Sequence, residues 1–174
     1  MQLAGKTALI AGVLFHLLAA ASVGAQAKRS ILVITDAEGV AGVCRQDQTD
    51  PKDAEMRQLL TGEINAAVEG LFAGGADEVV VLDGHDGSQT LSALTIHSKA
   101  KLLTGALGRT LTLDRRYAAM AYVGQHSMAN VRGGIMAHSF SSLGIQNMLL
   151  NGKPVGEIGI GTALAGWFDT PVIL

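Results

Sequence analysis

The sequence predicts an α/β fold: a mostly parallel sheet with flanking helices and candidate ligands at the carboxyl ends of its strands. Three observations lead there. Two dense β-branched runs, SILVIT (30–35) and EVVVLD (78–83), have the continuous apolar character of strands buried on both faces. A helical stripe lies between them, and strand, helix, strand makes a right-handed parallel crossover the default. Acids and histidines follow the extended runs, at the strand ends where open α/β sheets gather ligands.

Taken in chain order, residues 1–27 read as a signal peptide. Lys6 supplies a positive start, and 8–21 is apolar apart from Gly12 and His16. GAQA then offers small residues at Ala25 and Ala27 for cleavage. An uncleaved anchor is the alternative, because 7–27 is uncharged and long enough to span a membrane. Either way the domain over 28–174 is expected to be exported, periplasmic or extracellular. After signal cleavage no stable membrane contact is expected. Every acidic residue lies after residue 27, so the formal charge of −2 leaves that domain mildly acidic. It has no basic block, which argues against a nucleic-acid partner. Cys44 is the single cysteine, so no internal disulfide can form.

After SILVIT, Asp50-Pro51 looks like an N-cap with proline at the first helical position. Met56, Leu60, Ile64, Ala67, Val68, Leu71 and Phe72 fall on one helical stripe, and Gly74-Gly75 ends it. EVVVLD follows. A short helix is expected over 90–98, with His97 on its face, and AKLLTG (100–105) reads as a short strand. YAAMAYVG (117–124) and GGIMAHS (133–139) read as two more strands. Asn151-Gly152 between extended runs signals a hairpin. A last helix is expected over about 155–167. PVIL (171–174) reads as the start of a further strand, which predicts a domain incomplete at its C-terminus.

The candidate site follows from these strand ends. Asp36 and Glu38 come after the first strand, Asp83, His85 and Asp86 after the second, His126 after YAAMAYVG, and His138 at the end of GGIMAHS. Residues two apart in extended chain face one side, so Asp36 and Glu38 converge. Two negative charges at a strand end are costly unless a cation or donors answer them. Imidazoles with carboxylates form the ligand set of zinc and related divalent ions. Each residue also has a plainer explanation. Asp36 and Glu38 can be loop acids, and Asp83 a turn former or a partner that orients a ligand. His85 can be solvated in its glycine-rich turn, and His126 and His138 can be core histidines; Glu157, a further candidate in the first turn of the last expected helix, can simply favour the helix dipole.

DAEGVAG, DGHDG, GQHSM, MAHS and NGKPVGEIG, in that order, resemble the motifs of the bacterial zinc-dependent D-aminopeptidases. These are dinuclear metallopeptidases associated with dipeptide-transport operons. The resemblance runs from about Ile31 to Leu174. It implies two zinc ions per chain, with Asp36 bridging them. Glu38 and His85 would complete one ion's protein ligands, and His126 and Glu157 the other's. His138 matches the family's catalytic histidine, as a proton donor and acceptor or as a nucleophile. The implied reaction is hydrolysis of short peptides with a free N-terminal residue, small and of D configuration, by a metal-bridged hydroxide. The family also implies a homo-oligomer and continues well past PVIL. Two alternatives remain: a metal-binding relative without turnover, and a dinuclear phosphoesterase. Against the second, no glycine-rich phosphate cradle is evident, and Arg115-Arg116 precedes a strand rather than a ligand loop.

Overall fold

The computed structural model describes residues 28–105 and 113–173. The leader expected over 1–27 lies outside the described residues. The α/β class holds. Five parallel strands form one sheet in the order β3-β2-β1-β4-β7: β1 (Ser30–Thr35), β2 (Glu78–Leu82), β3 (Lys101–Leu103), β4 (Tyr117–Val123) and β7 (Val172–Ile173). Two short strands, β5 (Leu149–Leu150) and β6 (Lys153–Pro154), make a separate hairpin. Asn151 and Gly152 take positive φ there, 52° and 77°, as a tight two-residue turn requires.

All six residues of β1 are buried, because helices cover both faces of the sheet. Val33, Val79 and Val81 lie under Met56, Leu60, Ile64 and Val68 of α1 (Ala54–Ala73). Their neighbours Leu32, Ile34, Val80 and Leu82 turn to the other face, where Ala165 of α2 (Glu157–Trp167) packs. Alternation along each strand therefore feeds two cores. Fully burying one such side chain stabilises the fold by about 1.5–3 kcal/mol. No helix among the described residues is long and apolar enough to cross a membrane.

Several expectations shift. The first helix starts at Ala54, not after Asp50. Asp53 is its cap, and its Oδ1 accepts from Met56 N at 2.7 Å. Asp50 instead closes a short 3-10 turn (Gln46–Thr49) and accepts from Lys52 N, which leaves Pro51 in the connection. The helix expected over 90–98 is a series of turns. Asn65 on α1 takes both the Thr95 carbonyl and the His97 amide, so local backbone pairs outward rather than into a helix. His97 lies on this turn against Phe72, away from the other histidines. GGIMAHS is a loop, not a strand: Gly133 and Met136 have φ of 78° and 44°, and β7 pairs with β4 in the same sheet.

Glu78 ties the amino ends of three strands together. Its carboxylate accepts from Ser30 Oγ at 3.0 Å and Lys28 Nζ at 2.9 Å, and pairs with Lys101. Hydrogen bonding to Lys101, then Lys28, holds Glu78 down to about 2 from an ordinary 4.5. A lowered carboxylate adds stability above its unfolded value and loses it as pH falls towards the folded one. Chemical-denaturant midpoints should therefore drop between about pH 4.5 and 2. Glu78→Gln should flatten that drop and cost about 1 kcal/mol at neutral pH, a modest loss because both lysines are exposed.

Candidate metal centre

The order β3-β2-β1-β4-β7 reverses its direction at β1, because β2 and β3 build to one side and β4 to the other. The crevice at such a reversal, beyond the carboxyl ends of the strands, is where open α/β sheets bind ligands. β1 ends there on Asp36 and Glu38, and β4 leads there to His126. The two strand ends continue to exchange hydrogen bonds: Asp36 N donates to Val123 O at 2.9 Å and Gly39 N to Gly124 O at 2.8 Å. A Cβ on Gly39 would lie 2.0 Å from Gln125 O, and one on Gly124 (φ 75°) 2.0 Å from Asp36 O. Only glycines permit this approach, which sets Asp36 and His126 face to face.

On the other flank, Thr35 Oγ1 donates to Leu82 O at 3.0 Å and knits the ends of β1 and β2. Asp83, fully buried, accepts from Thr90 N at 2.7 Å and Leu91 N at 2.8 Å through Oδ2. It pins the loop that carries His85, and burial pushes its carboxyl up. The third histidine, His138, comes from the loop over 127–141, where its amide donates to Ser127 O at 3.1 Å. Glu157 opens α2. Its Oε1 accepts from Phe140 N at 2.8 Å, which joins that loop to the helix.

All six expected residues converge. Asp36 is shared: Oδ1 is 3.1 Å from His85 Nδ1, and Oδ2 is 3.7 Å from His126 Nε2. Glu38 Oε2 lies 3.4 Å from His85 Nδ1, and Glu157 Oε1 lies 3.1 Å from His126 Nε2. Two triads result, Asp36–Glu38–His85 and Asp36–His126–Glu157, each with its ligand atoms within 4.8 Å of one another. His138 Nε2 is 3.8 Å from Glu38 Oε1, and its ring stacks on His126 at 3.8 Å between centroids.

A backbone carbonyl fixes each ring. Carbonyls only accept, so His85 Nε2 carries the proton towards Thr49 O at 2.7 Å. His126 Nδ1 donates to Ser127 O at 2.9 Å, and His138 Nδ1 to Met136 O at 2.7 Å. The opposite nitrogen of each ring, the one a metal ion would take, is thereby turned into the cleft.

Electrostatics favours a cation here. Like charges about 4 Å apart repel by roughly 4 kcal/mol at an effective dielectric near 20. Asp36, Glu38 and Glu157 are all buried in one cluster. Burial works against the Glu38 carboxylate, but contacts with His85 and Asp36 outweigh it and hold it well below the usual range. Burial also opposes charge on His85 and His126. Hydrogen bonds to Asp36 and Glu38 nonetheless pull His85 up to about 10, and Glu157 pulls His126 up to about 9. A divalent ion would take the place of those protons.

The donor set fits zinc. Ligands 2.0–2.2 Å from a tetrahedral zinc stand roughly 3.4 Å apart. The four histidine–carboxylate spacings in the two triads run from 3.1 to 3.7 Å. Glu38 Oε2 is buried and meets His85 Nδ1 at 3.4 Å in a geometry too poor for a good hydrogen bond, which leaves it available to a cation. The centre opens into a cleft of about 640 Å³, a size suited to a small ligand. Tyr122, Met120, Ile160 and Leu164 form its apolar side. Among the described residues no lysine or arginine lines it. Arg115 and Arg116 pair with Asp169 and Asp114 at the amino end of β4, away from the strand ends that carry the cluster.

A family model described as D-aminopeptidase matches residues 30–174. The D-aminopeptidase of Bacillus subtilis (strain 168) is 29% identical over 145 residues, which cover 80% of this chain and 52% of the relative. A solved structure, the Zn-dependent D-aminopeptidase DppA from Bacillus subtilis, a self-compartmentalizing protease, matches with a TM-score of 0.77 and 29% identity. That match covers 82% of this chain and 54% of DppA. The chain spans about half the length of the relatives it matches.

Two predictions follow from the geometry. Asp36→Asn, which weakens the shared ligand, should strip zinc from both triads, whereas His85→Ala should spare the Asp36–His126–Glu157 triad. Elemental mass spectrometry after dialysis reads the difference. Gly124→Ala should destabilise the fold by about 1–3 kcal/mol through its positive φ alone, with a further loss from the clash, measured by urea unfolding.

Proposed function

Because the chain belongs to the D-aminopeptidase family, we propose that it is a zinc-dependent aminopeptidase hydrolysing short peptides with a free, small N-terminal residue of D configuration. The observation that carries this reading is the shared Asp36 carboxylate, which presents one oxygen to each of two histidine–carboxylate triads. In this reading Asp36, Glu38 and His85 hold one zinc ion, and Asp36, His126 and Glu157 the other. Such a pair, when bound, supplies an acidified water and polarises the scissile carbonyl.

The chain's own residues do the rest. Asp36 fixes the separation of the two halves of the centre. Thr49 O and Ser127 O keep the ligand nitrogens of His85 and His126 aimed inward. His138 is the proton carrier. Its Nδ1 hydrogen is committed to Met136 O, so Nε2 is free to accept a proton and return it to the departing amine. It is also the most open of the six, with 14% of its side chain exposed. The apolar side of the cleft keeps water from the far part of the substrate.

A phosphoesterase reading is less well supported, because no lysine or arginine among the described residues lines the cleft. The same proposal includes assembly of several copies, in keeping with the self-compartmentalizing DppA. It also includes export directed by residues 1–27, which would bring the enzyme to peptides containing D-alanine.

Purified, zinc-loaded protein should release D-alanine from D-alanyl amides in preference to the L forms, and should leave phenyl phosphate intact. His138→Ala should lower kcat by about 10²–10⁴-fold with little change in KM. Cleavage of the phosphate ester, or no turnover of either amide by the zinc-loaded protein, would overturn the reading.

A further inference from the structure

We propose that His138 and the outward oxygen of Glu38 form a third, weaker zinc site that closes the centre when zinc is in excess. The inference rests on the dinuclear reading above. Glu38 has two oxygens with different neighbours. Oε2 faces His85 at 3.4 Å and belongs to the first triad, whereas Oε1 faces His138 Nε2 at 3.8 Å. Two ligands of one tetrahedral zinc stand roughly 3.4 Å apart. The pair therefore needs to close by only a few tenths of an ångström. His138 already offers the correct nitrogen, because Met136 O holds the proton on Nδ1.

His126 completes the setting without lending a ligand. Its Nε2 faces Asp36 and Glu157, and its Nδ1 donates to Ser127 O. Its ring lies 3.8 Å from that of His138 and only 8° from parallel, so it backs the His138 imidazole as a flat wall. Glu38 and His138 accordingly bring ligand atoms within 4.8 Å of one another, with His126 beside them.

The site is weak for two reasons. It has two protein ligands, not three, with solvent completing the shell. It also adds positive charge to a centre where Asp36, Glu38, Glu157 and the cleft-lining Asp83 already balance two divalent ions. Its exposure makes it exchangeable: the His138 side chain is 14% exposed, against 2–6% for the five other residues. An ion on His138 Nε2 occupies the lone pair that the proposed proton transfer uses, so zinc in excess would inhibit.

The test uses the full chain dialysed against zinc buffers of rising free concentration, with bound zinc read by elemental mass spectrometry. Wild type should gain about one ion per chain more than His138→Ala at high free zinc. In parallel, diethyl pyrocarbonate labelling of wild type should fall at His138, but not at the remote His97, as free zinc rises beyond tight loading. Equal zinc uptake by the two proteins, or labelling of His138 that excess zinc leaves unchanged, would overturn the third site. Failure of the dinuclear reading shows separately, as fewer than two tightly held ions in both proteins, while the difference between them still decides for or against His138.

Discussion

The arrangement depends on one carboxylate facing two ways. Asp36 stands at the end of the central strand, with β2 on one side and β4 on the other. His85 arrives from the β2 side and His126 from the β4 side, and each meets a different Asp36 oxygen. Only a residue at the reversal of strand order can be reached from both flanks. The parallel sheet, the crossover through α1 and the packing of α2 on the opposite face all serve to hold that point. Gly39 and Gly124 let the two chain ends approach closely enough for the meeting to occur.

Regular structure supplies the frame, and the loops bring most of the donors. His85 and His138 come from loops with several residues of positive φ, including Asp86, Ser88, Met136 and Phe140. Such loops hold position only when tethered. Asp83 grips the first through two amides, and Glu157 grips the second through Phe140 N. Glu157 thus has two tasks, because the same Oε1 also faces His126. Burial of these groups costs stability. The two apolar cores on either side of the sheet offset that cost.

Much of this was legible in the sequence, for reasons that differ by element. β1 and β2 announced themselves because strands covered on both faces have no polar alternation. The α1 stripe and the Asn151-Gly152 turn depend on local periodicity and backbone freedom, which a sequence records directly. GGIMAHS misled because its apolar run resembles a strand, while Gly133 and Met136 bend the chain out of extension. The 90–98 segment misled because Asn65, some thirty positions earlier, takes its backbone groups. Five of the site residues could be singled out by their place after runs read as extended, whereas Glu157, in the first turn of a helix, stood out only through the family resemblance. Their partners Thr49, Ser127 and Met136 could not, because they act through carbonyls that every residue carries.

That last feature bears on how the protein tolerates mutation. The orientation of all three imidazoles is entrusted to the main chain, so no particular side chain is needed at positions 49, 127 or 136 to preserve it. Substitutions there leave the carbonyl acceptors in place so long as the backbone path is kept, although Thr49 also hydrogen-bonds Gln46 through its hydroxyl and Met136 holds a positive φ. The vulnerable positions are instead those that shape the path, such as Gly39, Gly124 and Asp83. The support around the histidines is thus buffered against changes in chemistry and brittle to changes in geometry.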